Sequence, residues 1–187
     1  MNTHDFIAEL RRMSTAELED AGRRSLLDHV VAQAEVARAK HGPLADRGLD
    51  ELLQDPACVR HPVRLVFEFG EMAMHQFGQP DLDWRDPEGA GRVIYLRPML
   101  RDRPELTRLA VAYLLPVINY GDIVTDEICV HYGAELLGLT PEDFYQRICR
   151  LADEVGAEER PHGADDSEPL RLAAPVRATS GCGCGSQ

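Results

Sequence analysis

Helix start and stop signals constrain the fold of this chain more than any other feature of its sequence. Ser14-Thr15-Ala16-Glu17 fits the capping box, in which the serine hydroxyl accepts from the amide three residues on and the glutamate reaches back. Apolar residues then recur at helical spacing until His41-Gly42-Pro43 ends the run. Asp102-Arg103-Pro104-Glu105 and Thr140-Pro141-Glu142-Asp143 are two further start signals, each with a cap residue and an early proline.

These signals predict an all-α fold, an irregular helical bundle of about five to seven helices in residues 1–156. The predicted helices cover residues 3–13, 14–41, 49–54, 63–78, 102–119, 122–137 and 141–156. Residues 157–187 are rich in Pro, Gly, Ser and acidic side chains without helical period, which predicts a disordered tail ending in a Cys-Gly-Cys segment.

The segment 63–78 admits two interpretations. Its start is rich in β-branched and aromatic residues, so a strand is an alternative there. We favour a buried helix because the apolar run continues beyond strand length and Gly78 is a suitable C-terminal stop. Residues 93–96 are predicted to be extended, Pro116 to bend or break its helix, and Asp122 to cap the next one.

The charge balance restricts the partners of the chain. With 20 Lys and Arg against 32 Asp and Glu, its net charge of -12 repels nucleic acid and anionic membranes. The N-terminus lacks the pattern of a signal peptide, and no run of about 18 apolar residues predicts a membrane span. We therefore expect a cytoplasmic protein. Cys58, Cys129 and Cys149 are expected to be small buried hydrophobes in a reducing compartment.

Two of the predicted helices carry polar stripes on otherwise apolar segments. At about 100° per residue, Glu68, Glu71 and His75 share an arc of about 60°. Glu127, His131 and Glu135 share an arc of about 80° on the second helix. Buried carboxylates are costly unless they are paired or bind a metal, so facing stripes would form a site for Fe, Mn or Zn.

The arrangement is similar to that of the four-helix di-iron carboxylate proteins, whose ligands project inward from facing helices. The usual spacing in that family is Glu-x-x-His, whereas Glu71 with His75 and Glu127 with His131 are both Glu-x-x-x-His. An alternative interpretation is structural, since both pairs have the spacing of ordinary helical side-chain pairs on a solvated face. His4, His29, His41 and His162 have no partner pattern and are expected at the surface or its boundary.

The chain closes on GCGCGSQ, residues 181–187, which places Cys182 and Cys184 between glycines. This segment resembles the C-terminal Cys-Gly-Cys-Gly of A-type iron-sulfur carrier proteins, and the resemblance implies that both thiolates are metal ligands. We therefore expect a metal-binding helical protein, either a carboxylate/histidine metalloprotein or an accessory factor in metal or iron-sulfur handling, with a partner protein reached through the tail. The alternative is a non-catalytic interaction domain with a docking tail.

Overall fold

The computed structural model describes residues 12–42, 48–69, 72–73, 75–81 and 91–158. The predicted helix 3–13 and the predicted tail lie outside these residues, apart from Arg12, Met13 and the end of the last helix. The described helices are α1 (Thr15–His41), α2 (Gly48–Gln54), α3 (Pro104–Tyr120), α4 (Asp126–Leu137) and α5 (Pro141–Glu158). The strands are β1 (Val63–Phe67), β2 (Gly78–Asp81) and β3 (Arg92–Leu96).

The start of α1 confirms the predicted capping box. The amide of Glu17 donates to Ser14 Oγ at 3.3 Å, and the amide of Ser14 donates to Glu17 Oε2 at 2.7 Å. Thr140 also caps α5 as predicted, because its hydroxyl accepts from the amide of Asp143 at 3.1 Å. Two other predicted caps are wrong. The residue before α3 is Arg103 instead of Asp102, and its side chain makes no capping bond, while Thr125 caps α4 three residues beyond Asp122. The helix α3 continues through Pro116.

The helices pack around α4, which contacts α1, α3 and α5. Its buried side includes Ile128, Tyr132 and Leu136, each at most 1 % exposed. Against it, α1 contributes the small residues Ala34 and Ala37, which let the two backbones approach closely. No helix in the described part of the chain is both long enough and apolar enough to cross a membrane.

A three-stranded mixed sheet corrects the all-α prediction, although the chain is mostly helical as expected. Its order is β1-β3-β2, with β1 parallel and β2 antiparallel to β3, and α3 packs against β2 and β3. The extended residues 93–96 are confirmed as part of β3. Ile94 and Leu96 are fully buried, so the strand predicted to be extended lies in the centre of both the sheet and the core.

The predicted helix over residues 63–78 is wrong. Its β-branched and aromatic start forms β1, and residues 72–73 and 75–77 are not helical. The buried guanidinium of Arg97 donates to the carbonyls of Ala73 at 2.7 Å and Gln76 at 2.8 Å, so a distant side chain satisfies these backbone groups. Gly78 begins β2 instead of ending a helix, and a Cβ there would lie 2.8 Å from side-chain atoms of Leu96 and Leu114.

Candidate metal centre

Three kinds of metal-ligand atom meet where the end of α1 faces the turn after α2. His41 Nε2 lies 2.8 Å from Asp55 Oδ2, and Cys58 Sγ lies 3.5 Å from the same oxygen. All three ligand atoms are within 4.8 Å of one another, and they form the one such group of His, Cys, Asp or Glu among the described residues. The group could hold a metal ion.

Local backbone structure places these residues. At the end of α1, Gly42 has a φ of 72° and its amide donates to the carbonyl of Arg38 at 2.8 Å, which terminates the helix immediately after His41. On the other side, the amides of Cys58 and Val59 both donate to the carbonyl of Asp55 at 2.9 Å. That turn brings the thiol of Cys58 back over the carboxylate of Asp55.

A buried amide side chain on α3 holds the loop that carries Cys58. Asn119 Nδ2 donates to the carbonyl of Cys58 at 3.1 Å, and Asn119 Oδ1 accepts from the amide of Arg60 at 3.1 Å. Since buried backbone groups need hydrogen-bond partners, this double contact fixes the loop on the helical core. The position of Cys58 is therefore set by its own turn and by α3, which is distant in sequence.

Asp55 is the electrostatic centre of the cluster. Its Oδ2 lies 2.6 Å from the ammonium of Lys40, and its Oδ1 accepts from the amide of Ala57 at 3.0 Å. The hydrogen bond from Lys40 holds the pKa of Asp55 well below its usual range, with further contributions from the Ala57 amide and His41. The side chains of His41 and Asp55 are only 8 % and 9 % exposed, whereas that of Lys40 is 54 % exposed.

Cys58 is held as a neutral thiol by its surroundings. It is 6 % exposed, and burial together with the charge of Asp55 raises its pKa to about 11. A thiol with such a pKa is a poor nucleophile at neutral pH. A bound cation would favour the thiolate of Cys58 over the thiol, because coordination removes the thiol proton.

Asp55→Asn is expected to make stability less dependent on pH in acid. Because folding lowers the pKa of Asp55, its contribution is fully present above the unfolded value of 3.8 and is lost as the pH falls below it. The difference in the free energy of unfolding between wild type and D55N should therefore shrink from pH 5 to pH 2. Urea denaturation at several pH values measures this difference, with Asp153→Asn on the exposed face of α5 as control. A difference between the two proteins that stays constant over that range would show that folding does not lower the pKa of Asp55.

A small cavity borders the cluster on the side of Cys58. Its volume is about 160 Å³, and the residues that line it include His29, Gln33, Cys58, Arg60 and Tyr120. The ring of His29 meets the ring of Tyr120 edge-on with centroids 5.8 Å apart, and the guanidinium of Arg60 lies 4.9 Å from the centroid of the same ring. The cavity gives a small molecule or water a place next to Cys58.

The stripe predicted on the second helix lies on α4, but its members face different surroundings. Glu127 is exposed and His131 is half-buried. Glu135 Oε1 lies 2.5 Å from Arg38 Nη2, an ion pair that joins α4 to α1. Glu135, the last member of this stripe, is therefore paired with Arg38.

The other predicted stripe does not exist as a helical face. Glu68 follows β1 and His75 lies in a turn before β2, both exposed, and Glu71 lies outside the described residues. Two facing helical stripes are therefore not formed, because one of the two helices is a strand and a loop. No three members of the predicted set in the described ranges come as close as the cluster at His41. The tail thiols Cys182 and Cys184 also lie outside the described residues.

Sequence reasoning missed the observed cluster. Burial of Cys58 and Cys129 and the boundary position of His41 are confirmed, but their partners were not predicted. The only local signal is Asp55-Pro56-Ala57-Cys58, in which a turn brings a carboxylate and a thiol together. His41 lies 14 residues before Asp55, so only the packing of α1 against α2 brings the third ligand to the site.

Comparison with known proteins identifies no relative: the chain matches no protein-family model, no curated protein and no solved structure.

Proposed function

We propose that this protein binds one zinc ion through His41, Asp55 and Cys58. The observation that carries the proposal is the convergence of nitrogen, oxygen and sulfur donors within 4.8 Å at a largely buried position. Buried groups of this kind are found either in hydrogen-bonded networks or around metals. The mixed donor set favours the second interpretation, because imidazole, carboxylate and thiolate are the three protein ligands of zinc.

The donor set also favours zinc over the other metals considered from the sequence. Carboxylates with imidazoles suit iron or manganese, whereas a thiolate is a softer ligand and favours zinc. Zinc does not change its oxidation state, and it accepts four ligands in tetrahedral geometry. Three protein ligands leave its fourth position for water or another ligand, as in catalytic zinc sites. The cavity beside Cys58 would supply space for that ligand.

Binding requires three changes at the site. The ammonium of Lys40 must leave Asp55 Oδ2, and it can do so because more than half of its side chain is already exposed. The thiol of Cys58 must release its proton, and the resulting thiolate forms the bond to zinc. The proton on His41 Nε2, which donates to Asp55 Oδ2, must move to Nδ1 so that Nε2 can bind zinc. The charge of the site is unchanged, since one dication replaces one ammonium and one proton.

The tail thiols add a proposed role in metal transfer. Cys182 lies 24 residues beyond the end of α5, and a flexible chain of that length spans about 27 Å on average. Cys182 and Cys184 would receive the ion from the cluster by ligand exchange, or deliver it there. In this proposal the cluster is the resident site and the tail is the exchanging ligand.

A competition titration tests the proposal directly. Metal-free full-length protein is titrated with zinc in the presence of a chromophoric chelator, beside the Cys182→Ser/Cys184→Ser variant. One ion per chain should bind in both proteins, and the tail variant should exchange metal more slowly with the chelator. Absence of binding in the wild type, or its complete loss in the tail variant, would refute a resident site at His41, Asp55 and Cys58.

Zinc affinity is expected to rise with pH. Because zinc displaces the thiol proton and the pKa of Cys58 is about 11, each pH unit below that value should change the affinity by about tenfold. Titrations at pH 7, 8 and 9 measure the slope, after correction for hydroxide binding to zinc. An affinity that is independent of pH in this interval would exclude a thiolate ligand.

A further inference from the structure

The open edge of β1 borders a groove that is larger than the cavity beside the metal cluster. Its volume is about 730 Å³, within the usual range of ligand-binding sites. Residues from α2, β1 and the start of α3 line it, including Gln54, Leu65 and Thr107. Since the strand order is β1-β3-β2, β1 pairs on one side only among the described strands.

The backbone of β1 shows which groups face this edge. The carbonyl of Pro62 accepts from the amide of Arg92, so alternate residues, Arg64 and Val66, direct their backbone groups toward β3. Val63, Leu65 and Phe67 therefore direct theirs outward. Two of these outward carbonyls already have side-chain donors: Gln54 Nε2 at 3.0 Å from Val63 and Arg101 Nη2 at 3.4 Å from Phe67.

Leu65 lies between Val63 and Phe67, the two residues whose carbonyls accept from side chains. Its outward N–H and C=O make no hydrogen bond within the part of the chain that the structure describes. Unpaired edge groups of this kind are the template on which an extended peptide adds as a further strand. The five residues of β1 span about 17 Å, enough for such a peptide.

The charge of the groove indicates which chemical class of partner would bind there. Arg64 and Arg101 line it together with one acidic residue, Asp50, in a chain whose net charge is -12. A positive groove attracts carboxylates. We propose that this groove binds an extended acidic segment of a partner protein, which pairs with Leu65 and places its carboxylates near the arginines.

A defined peptide tests this proposal. The probe is Thr-Glu-Val-Glu-Val-Glu-Thr, blocked at both ends and labelled for fluorescence anisotropy, and full-length protein is the titrant. Replacing its glutamates by glutamines should weaken binding about tenfold, and methylating the central backbone amide should weaken it by a similar factor. Arg64→Gln should weaken binding about two- to fivefold, whereas Arg23→Gln on the exposed side of α1 should leave it unchanged.

Hydrogen exchange of single amides distinguishes strand addition from loose electrostatic attraction. The peptide should slow exchange at Leu65 at least tenfold, with smaller effects at Arg64 and Val66, which already bond to β3. Peptide binding without slower exchange at Leu65, or equal binding of the glutamine peptide, would overturn the proposal. Slow exchange at Leu65 without peptide would also overturn it. If that exchange rate does not depend on protein concentration, a segment of the same chain covers Leu65. If the rate falls as protein concentration rises, a second copy of the chain covers it.

Discussion

Cys58→Ser is expected to weaken zinc binding at least about a hundredfold. The hydroxyl of serine does not ionise near neutral pH, so the ion would lose its thiolate and keep only His41 and Asp55. Loss of a hydrogen-bonding partner outside the coordination sphere costs about ten- to a hundredfold in metal affinity, and loss of a ligand should cost at least the upper value. Competition with a chelator at pH 7.5 measures both affinities.

The matched control is Cys149→Ser, which changes another partly buried thiol on α5. Its zinc affinity should equal that of the wild type. Thermal unfolding without metal should show that C58S remains folded, because serine preserves the size of the side chain. Equal zinc affinity in C58S and wild type would remove Cys58 from the site.

Gly133→Ala is expected to produce the largest loss of stability among single methyl additions in the helices. A Cβ at Gly133 would lie 2.1 Å from Cζ of Phe144, whose ring is fully buried where α4 meets α5. A rigid ring in a close-packed core cannot move aside, so overpacking should cost about 3 kcal/mol. For a chain of this size the midpoint of thermal unfolding should fall by about 6–12 °C.

Gly22→Ala provides the control for this prediction. Gly22 is also a helical glycine, on α1, but no heavy atom lies within 4 Å of the added Cβ. That variant should be more stable than wild type by about 0.5–1 kcal/mol, because alanine restricts the unfolded chain. Phe144→Leu in the G133A background should recover part of the loss. Equal effects of G133A and G22A would contradict the packing at α4 and α5.

The sequence predicted helices well wherever local chemistry determines them. The capping box at Ser14 and the threonine cap at Thr140 are local interactions, and both helices begin where they were expected. The prediction failed at residues 63–78 because short apolar runs have the same composition in a buried strand and a buried helix. Pairing of β1 with β3 and the side-chain donors of Arg97 decided the outcome, and both contacts are distant in sequence.

The metal cluster illustrates the same limit for a site. The repeated Glu-x-x-x-His spacing predicted that Glu71 and His131 are metal ligands. That spacing brings ligands together only if both segments are helical. The donors that do converge belong to the end of a helix and to a tight turn, and Asn119 on a third element holds that turn in place. None of these contacts has a periodic signature in the sequence.

X-ray absorption at the zinc edge, on wild-type protein loaded with one equivalent of zinc, identifies the ligands of the ion. We expect one sulfur ligand at about 2.3 Å and nitrogen or oxygen ligands at about 2.0–2.2 Å, with the sulfur absent in Cys58→Ser and retained in C182S/C184S. A shell without sulfur, or one whose sulfur disappears only when Cys182 and Cys184 are replaced, would contradict a zinc site at His41, Asp55 and Cys58.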